Sequence, residues 1–348
     1  MNIAYIVPSL DAKGPIIVTK LLSDYFVKNG HNVVVYYFDD IIQLKFNCRT
    51  EKISFKEMID FDSYDVLHSH CIRPDMYLKK WKKHIIKAKI VSTLHQDTYQ
   101  SFKYEYNSLL AILFTYHWTS IQSHFDCVVA ISNQLKQLYQ NKIKTKIATI
   151  YNGCETYLDN EIDPHFQKEI EIKKEKGLKI IGTYAYITKR KGVNQIISGL
   201  NLLKDYVAVI IGDGPEIENL KKQAIRDGIA DRVIFIPHQK KPYNYLKYFD
   251  IYVMPSYSEG FGLAMVEAAM SKKAIVCTNL DSFHEIFPQN EALFFNADNI
   301  TELATKIKIA YSQKEELGIR SYNRAKTEFK TDIMGKRYET LYTKLINN

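Results

Sequence analysis

Residues 251–267 read Ile251-Tyr-Val-Met-Pro255-Ser-Tyr-Ser-Glu259-Gly-Phe-Gly-Leu-Ala-Met-Val-Glu267. Ile251 to Met254 is a short apolar run of the kind that forms a buried strand. Gly260-Phe261-Gly262 is a flexible turn, and an apolar helix follows it. If that helix starts near Gly262, the amides of Phe261 to Ala264 have no carbonyl partner in the preceding turn. They make a positive pocket that suits a phosphate or an electron-rich hydroxyl. Glu267 lies four residues past Leu263 on the same helix face. Helical side chains lean toward the N-terminus, so its carboxylate points back at the pocket. Glu259 approaches from the other side. Carboxylates accept hydrogen bonds and so hold sugar hydroxyls. The ligand this spacing suits has hydroxyls at both ends and a diphosphate between them, which describes a nucleotide sugar.

Outward from this stretch, short apolar runs alternate with amphipathic ones, the pattern of an α/β protein with parallel sheets and crossover helices. The first half offers strands at 3–7, 32–38, 66–69, 90–94, 127–131 and 147–150. A helix over Ile16 to Lys28 is closed by Asn29-Gly30, glycine being the usual C-terminal stop. The second half restarts with strands at 179–184, 208–211, 233–235, 251–254, 274–277 and 292–295. Helices are expected over 193–203, 217–227, 243–248, 262–271 and 300–311. With 348 residues, the chain exceeds the usual size of a single core. We expect an N-terminal domain over 1–158, a linker over 159–175 and a C-terminal domain over 176–331. The apolar spacing of 332–348 makes a last helix.

The net charge of +8 is mild. It is compatible with anionic ligands or an anionic membrane surface, and no nucleic-acid signature accompanies it. Five scattered cysteines form no C-x-x-C pair, which argues against a disulfide framework or a zinc site and fits a reducing cytoplasm. Met1 to Pro8 lacks the basic region of a signal peptide.

Pro255-Ser-Tyr-Ser-Glu259-Gly-Phe-Gly262, followed by Glu267-Ala268, resembles the nucleotide-sugar signature of glycosyltransferase family 4. The resemblance extends over nearly the whole chain, with its specific motifs between Thr183 and Glu285. It implies two facing Rossmann-like domains with an interdomain cleft (the GT-B architecture) and retaining transfer. The donor would be a nucleoside-diphosphate sugar, UDP-linked, and the sugar a hexose or N-acetylhexosamine. The acceptor would be a glycan or lipid-linked molecule in envelope polysaccharide synthesis. It also implies that no cofactor or metal is needed, and that the last helix crosses back onto the first domain.

Carried over residue by residue, the resemblance gives Lys191 a place on the donor diphosphate. The family's arginine position holds Tyr186, a phenol without positive charge near neutral pH. Lys189 or Arg190 is then the substitute cation. Glu259 and the amides of Gly260, Phe261, Gly262 and Leu263 would orient the sugar, Glu267 the ribose, and the main chain at Pro237-His238 the base. Gly14, in the Ser9–Gly14 loop, would reach the diphosphate. Its neighbour Pro15 stiffens that loop and removes a donor. His95 matches the histidine that faces the donor sugar, although a lone histidine after a strand also serves as a structural residue. Gly212-Asp-Gly-Pro-Glu216 reads first as a tight turn. Asn152-Gly153 reads as a hinge element, Ser132 as a helix cap, and Glu285 as a structural or cleft acid. His68 and His70 share a strand face without an evident third metal ligand.

Lys79-Lys-Trp-Lys-Lys-His-Ile-Ile-Lys-Ala-Lys89 is either a solvated helix face or a contact with anionic lipid. The aromatic segment 102–125 offers acceptor or membrane contacts. The expected location is cytoplasmic, on the inner face of the cell membrane if the lipid contact forms. The altered arginine and glycine positions keep two other readings open: a nucleotide-sugar-binding scaffold without turnover, and a UDP-sugar epimerase.

Overall fold

The computed structural model describes residues 1–155 and 161–348, without the side chain of Glu105. Contacts divide it into two compact units. Unit 1 is Met1–Cys154 with Phe329–Asn348, and unit 2 is Glu155–Glu328.

Unit 1 begins with β1 (Asn2–Leu10), α1 (Gly14–Lys28), β2 (Asn32–Ile42), β3 (Arg49–Lys52), β4 (Val66–His70), α2 (Ile72–Trp81) and β5 (Lys89–Leu94). It continues with α3 (Thr98–Glu105), α4 (Ser108–Gln122), β6 (Cys127–Ala130), α5 (Asn133–Tyr139) and β7 (Ile147–Thr149). Its seven strands are all parallel, in the order β3-β2-β1-β4-β5-β6-β7. Alternation along β1 sends Ile3, Tyr5 and Val7 to one apolar layer and Ala4 and Ile6 to the other, the period-2 geometry of a strand.

Unit 2 runs α6 (Pro164–Glu175), β8 (Lys179–Tyr184), α7 (Asn194–Leu200), β9 (Tyr206–Ile211), α8 (Ile217–Arg226), β10 (Val233–Ile236) and β11 (Ile251–Met254). Then come α9 (Leu263–Met270), β12 (Ala274–Thr278), α10 (Asp281–Ile286), β13 (Leu293–Phe295), α11 (Ile300–Ser312) and α12 (Lys314–Glu328). The six-stranded parallel sheet has the order β10-β9-β8-β11-β12-β13.

The chain then returns to unit 1 as α13 (Thr331–Ile346). Met334, Tyr338, Leu341 and Tyr342 join the layer that also holds Tyr5 and Phe26. Each such side chain contributes roughly 1.5–3 kcal/mol through burial. Gly153 marks the return, since a Cβ there would lie 2.7 Å from the Thr331 Cα.

The expected linker over 159–175 differs from the structure. Residues 164–175 form α6, capped by the Asp163 carboxylate on the His165 amide, with Ile170 buried. Its charge hides one apolar stripe, which is enough to dock a helix. The expected boundary at 158 lies outside the described residues. The sequence reading also omitted β3, a polar edge strand of four residues. The helix expected over 243–248 is a 3₁₀ turn over 242–248, opened by Pro242. Among the described residues, no helix is long and apolar enough to cross a membrane.

Candidate functional site

In an open parallel sheet, ligands bind beyond the carboxyl ends of the strands where the strand order reverses. In unit 2 that point lies between β8 and β11. The loops that leave these two strands carry most of the candidate residues, and they are bound to each other. Lys191 donates a short charge-assisted hydrogen bond to Glu259 Oε1, and Ser256 Oγ donates to the same oxygen at 3.1 Å. Arg190 Nη1 lies 3.6 Å from Glu259 Oε2 and donates to the Ser258 carbonyl at 2.5 Å. The Tyr257 amide returns a bond to the Arg190 carbonyl at 2.8 Å. Burial opposes the charge on Glu259. The ammonium of Lys191 and the guanidinium of Arg190 nevertheless hold its carboxyl below the usual carboxylate range.

Two glycines permit this closeness. Gly192 has φ 61°, and a Cβ there would sit 2.2 Å from the Pro255 carbonyl oxygen. Gly262 is the N-cap of α9 with φ 84°, a conformation that penalises any Cβ. The first helical hydrogen bond is from Met265 N–H to Gly262 O at 2.9 Å. The amides of Leu263 and Ala264 come before it, at the positive end of the helix.

Glu267 does not reach Glu259. Its Oε2 accepts a 2.6 Å hydrogen bond from the Tyr184 hydroxyl at the end of β8. Burial pushes its carboxyl up to about 7, against the lowering effect of that bond. The two carboxylates therefore differ: one is held ionised by cations, and the other is close to protonation at neutral pH.

Tyr186 projects with 63% of its surface exposed. Pro237 and His238 lie exposed past β10, two strands from β8 and so about 10 Å away. The turn 212–216 packs on the loop after β8, with Ile187 N–H donating to the Asp213 carbonyl at 2.8 Å. Glu285 lies in α10, and its carbonyl accepts from Arg324 at 3.1 Å.

Sequence reasoning missed Gln195 and Tyr184. The wholly buried Gln195 amide donates to the Pro255 carbonyl at 2.9 Å and accepts from the Asp298 amide at 2.7 Å, so it clamps the β11 loop. No motif marks it. A glutamine at the start of an otherwise apolar helix face was the only signal.

In unit 1 the strand order reverses between β1 and β4. Gly14 opens α1 beyond β1, Cys71 follows β4 with φ 76°, and His95 follows β5. His95 Nε2 lies 2.7 Å from His70 Nδ1. His68 is held by Tyr342 at 2.6 Å and Thr93 at 2.7 Å. Burial lowers the His95 imidazole to about 3 and the other two well below their ordinary value, so all three rings are neutral near pH 7. Ser132 caps α5 by accepting from the Leu135 amide at 3.2 Å.

Behind this rim lies Asp75, wholly buried. It accepts from Ser69 at 2.5 Å, Ser92 at 2.9 Å, Trp118 at 2.5 Å and Gln122 at 3.2 Å. Burial pushes its carboxyl up to about 7 despite these four donors. It ties α2 to β4, β5 and α4.

The basic run and the aromatic segment separate in space. The run Lys79–Lys89 leads into β5, whereas α3 and the first half of α4 follow that strand, at the opposite rim. Lys82–His84 is a 3₁₀ turn and not one face of a continuous helix. Leu109, Ile112, Leu113 and Tyr116 of α4 are each more than half exposed, as is Tyr106 just past α3. Phe102 and Phe114 lock the two helices together at 5.4 Å between ring centroids.

Two parallel-sheet units, each with ligand-type residues at its reversal point, match the GT-B plan. The model for group 1 glycosyl transferases matches residues 165–327, and that for glycosyltransferase family 4 matches residues 14–157. The chain belongs to this glycosyltransferase family. It is 28% identical over 356 residues to the O-antigen biosynthesis glycosyltransferase WclY of Escherichia coli, covering 99% of each chain. It is 24% identical to the N-acetyl-alpha-D-glucosaminyl L-malate synthase of Bacillus anthracis, over 82% of this chain and 76% of that one. In fold it is similar to Anabaena HepE solved with UDP-glucose, with a TM-score of 0.81, 17% identity, and 99% and 100% of the two chains covered.

Proposed function

We propose that the protein transfers a hexose or N-acetylhexosamine, with retention of configuration, from a UDP-sugar to a glycan or lipid-linked acceptor in envelope polysaccharide assembly. The observation that carries this reading is the joining of the β8 and β11 loops through Lys191 and Glu259, beside the amide end of α9, where Leu263 and Ala264 are half-buried. The name of the E. coli relative, which refers to O-antigen biosynthesis, and the UDP-glucose bound in the Anabaena structure support this choice of pathway and nucleotide. In this reading Glu267 accepts from the ribose hydroxyls and Glu259 from those of the sugar. Lys191 and the α9 dipole stabilise the departing diphosphate.

The bond from the anomeric carbon to the β-phosphate oxygen breaks, and its electron pair leaves with UDP. The acceptor oxygen bonds the same carbon from the same face, and its proton passes to the departing phosphate. No protein base is required, and no metal is assigned a role. The apolar tip of α3 and α4 suits the lipid portion of an acceptor. Because the basic run lies at the other rim of its sheet, this tip is the better candidate for contact with the inner membrane face.

The test is incubation with a panel of nucleotide sugars and envelope-type acceptors. Release of UDP that depends on both substrates is expected. Tight binding without transfer or hydrolysis across the panel would return the scaffold reading. Conversion of a UDP-sugar without acceptor would return the epimerase.

A further inference from the structure

One contact in unit 1 has no part in the reading above. His70 ends β4, and His95 follows the neighbouring strand β5, with Ser69 paired to Ser92 and His70 to Thr93 in parallel register. The end of one strand thus places the His70 ring beside the loop of the other. Their Nδ1 and Nε2 atoms are 2.7 Å apart, and the His70 ring is wholly buried. Its other nitrogen, Nε2, has no hydrogen-bond partner among the described residues. The ring packs against His68, with centroids 4.3 Å apart and the planes tilted by 34°.

A neutral imidazole carries one proton on one of its two nitrogens. Desolvation keeps both rings neutral, so in this pair one ring donates and the other accepts. If His95 donated from Nε2, the His70 proton would stand on its own Nε2. That would be a buried N–H without an acceptor, the rarest kind of unsatisfied group. If His70 donates from Nδ1, the unpartnered atom is a lone pair, the less uncommon defect.

We propose that His70 is a positioning residue whose Nδ1–H donates to His95 Nε2, fixing His95 as the Nδ1–H tautomer so that it meets its ligand as a hydrogen-bond donor and not as a base. His95 is then an electrophilic contact to a sugar or acceptor oxygen. The proton released by the acceptor hydroxyl goes elsewhere, in keeping with the departing phosphate as its destination. The tautomer follows from unit 1 alone. Its use in transfer rests on the glycosyltransfer reading.

The tautomer is read directly by long-range ¹H–¹⁵N correlation spectra of the full chain labelled with ¹⁵N-histidine, with His95 assigned by its loss in His95→Gln. The wild type is expected to show His95 with a protonated Nδ1 and an acceptor-type Nε2. His70→Asn keeps an N–H donor at the Nδ1 position and is expected to preserve that signature. His70→Leu removes the donor and is expected to return His95 to the Nε2–H form common in free imidazole. A wild-type His95 protonated on Nε2, or a His95 signature identical in the wild type and in a folded His70→Leu, would overturn the proposal. If His70→Leu does not fold, the wild-type and His70→Asn spectra decide alone. In the transfer assay, His70→Leu should lower kcat about 5–10-fold, the loss of one oriented hydrogen bond, with the donor KM within twofold and His70→Asn restoring the rate. A wild type that has the expected tautomer but transfers nothing would sink the functional reading and leave the His70 assignment standing.

Discussion

The two units share a parallel-sheet plan and place their candidate residues at the same topological point, but they furnish it with different chemistry. The unit 2 rim is charged: Lys191 and Arg190 converge on Glu259 beside a helix N-terminus. The unit 1 rim combines desolvated neutral imidazoles, and phenols from α13, with two ion pairs that are internally balanced, Lys13 to Asp11 at 2.8 Å and Arg73 to Asp39 at 2.5 Å, and an apolar helical tip lies nearby. A site that binds a diphosphate needs fixed positive charge, and cations stay charged at partial burial when a carboxylate lies between them.

The contrast can be broken most severely in unit 2. Lys191→Ala should lower kcat on the order of 10²-fold, the usual effect of removing one preorganised stabiliser of a departing charge. Glu267→Ala should mainly raise the donor KM. Steady-state kinetics with the identified donor would show this, and near-wild-type values for both variants would reject the roles assigned here.

The next largest effect is on the stability of unit 1. Asp75→Ala leaves four donors without an acceptor and should destabilise by roughly 3–5 kcal/mol, read by urea unfolding. Asp75→Asn keeps an oxygen for Trp118, Ser92 and Gln122 and should be far milder. The Asp75 carboxyl is raised to about 7 in the folded protein, against about 3.8 unfolded. Its contribution is therefore present below about pH 4 and is lost as pH rises through 7. Asp75→Asn should flatten that part of the stability profile.

A smaller effect sharpens the comparison through pH. In the ribose role proposed for it, Glu267 accepts more strongly when ionised than when protonated, and burial raises its carboxyl to about 7. Affinity for UDP should therefore strengthen as pH rises through 7 and level off at a lower value below it, by about tenfold in all, the worth of one charge-assisted over one neutral hydrogen bond. Titration calorimetry of the wild type against Glu267→Gln would test this, and parallel profiles would contradict it. The smallest expected effect comes from Tyr186→Arg. The side chain is exposed and free to reach a bound phosphate, so a cation there should speed transfer a few-fold at most, roughly the worth of one solvent-screened charge contact.

Much of unit 2 was legible from local spacing. Glycines at turns, a strand before them and acids at fixed offsets are all consequences of short-range backbone geometry. The reading aimed Glu267 back at the helix end, with Glu259 approaching from the other side. It had no means of finding Tyr184, whose hydroxyl comes from another strand. The linker was misjudged because the charge of α6 masks a single buried stripe around Ile170.

By itself, the sequence determined the alternation of strands and helices, the parallel sheets and the signature from Glu259 to Glu267, since each depends on residues a few positions apart. Only the tertiary structure decided that His70 meets His95, that Tyr342 holds His68, and that Asp75 gathers four donors. Those partners lie 25, 274 and up to 47 residues apart along the chain. Hydrogen bonds of that kind follow from strand order and burial, which no local pattern encodes.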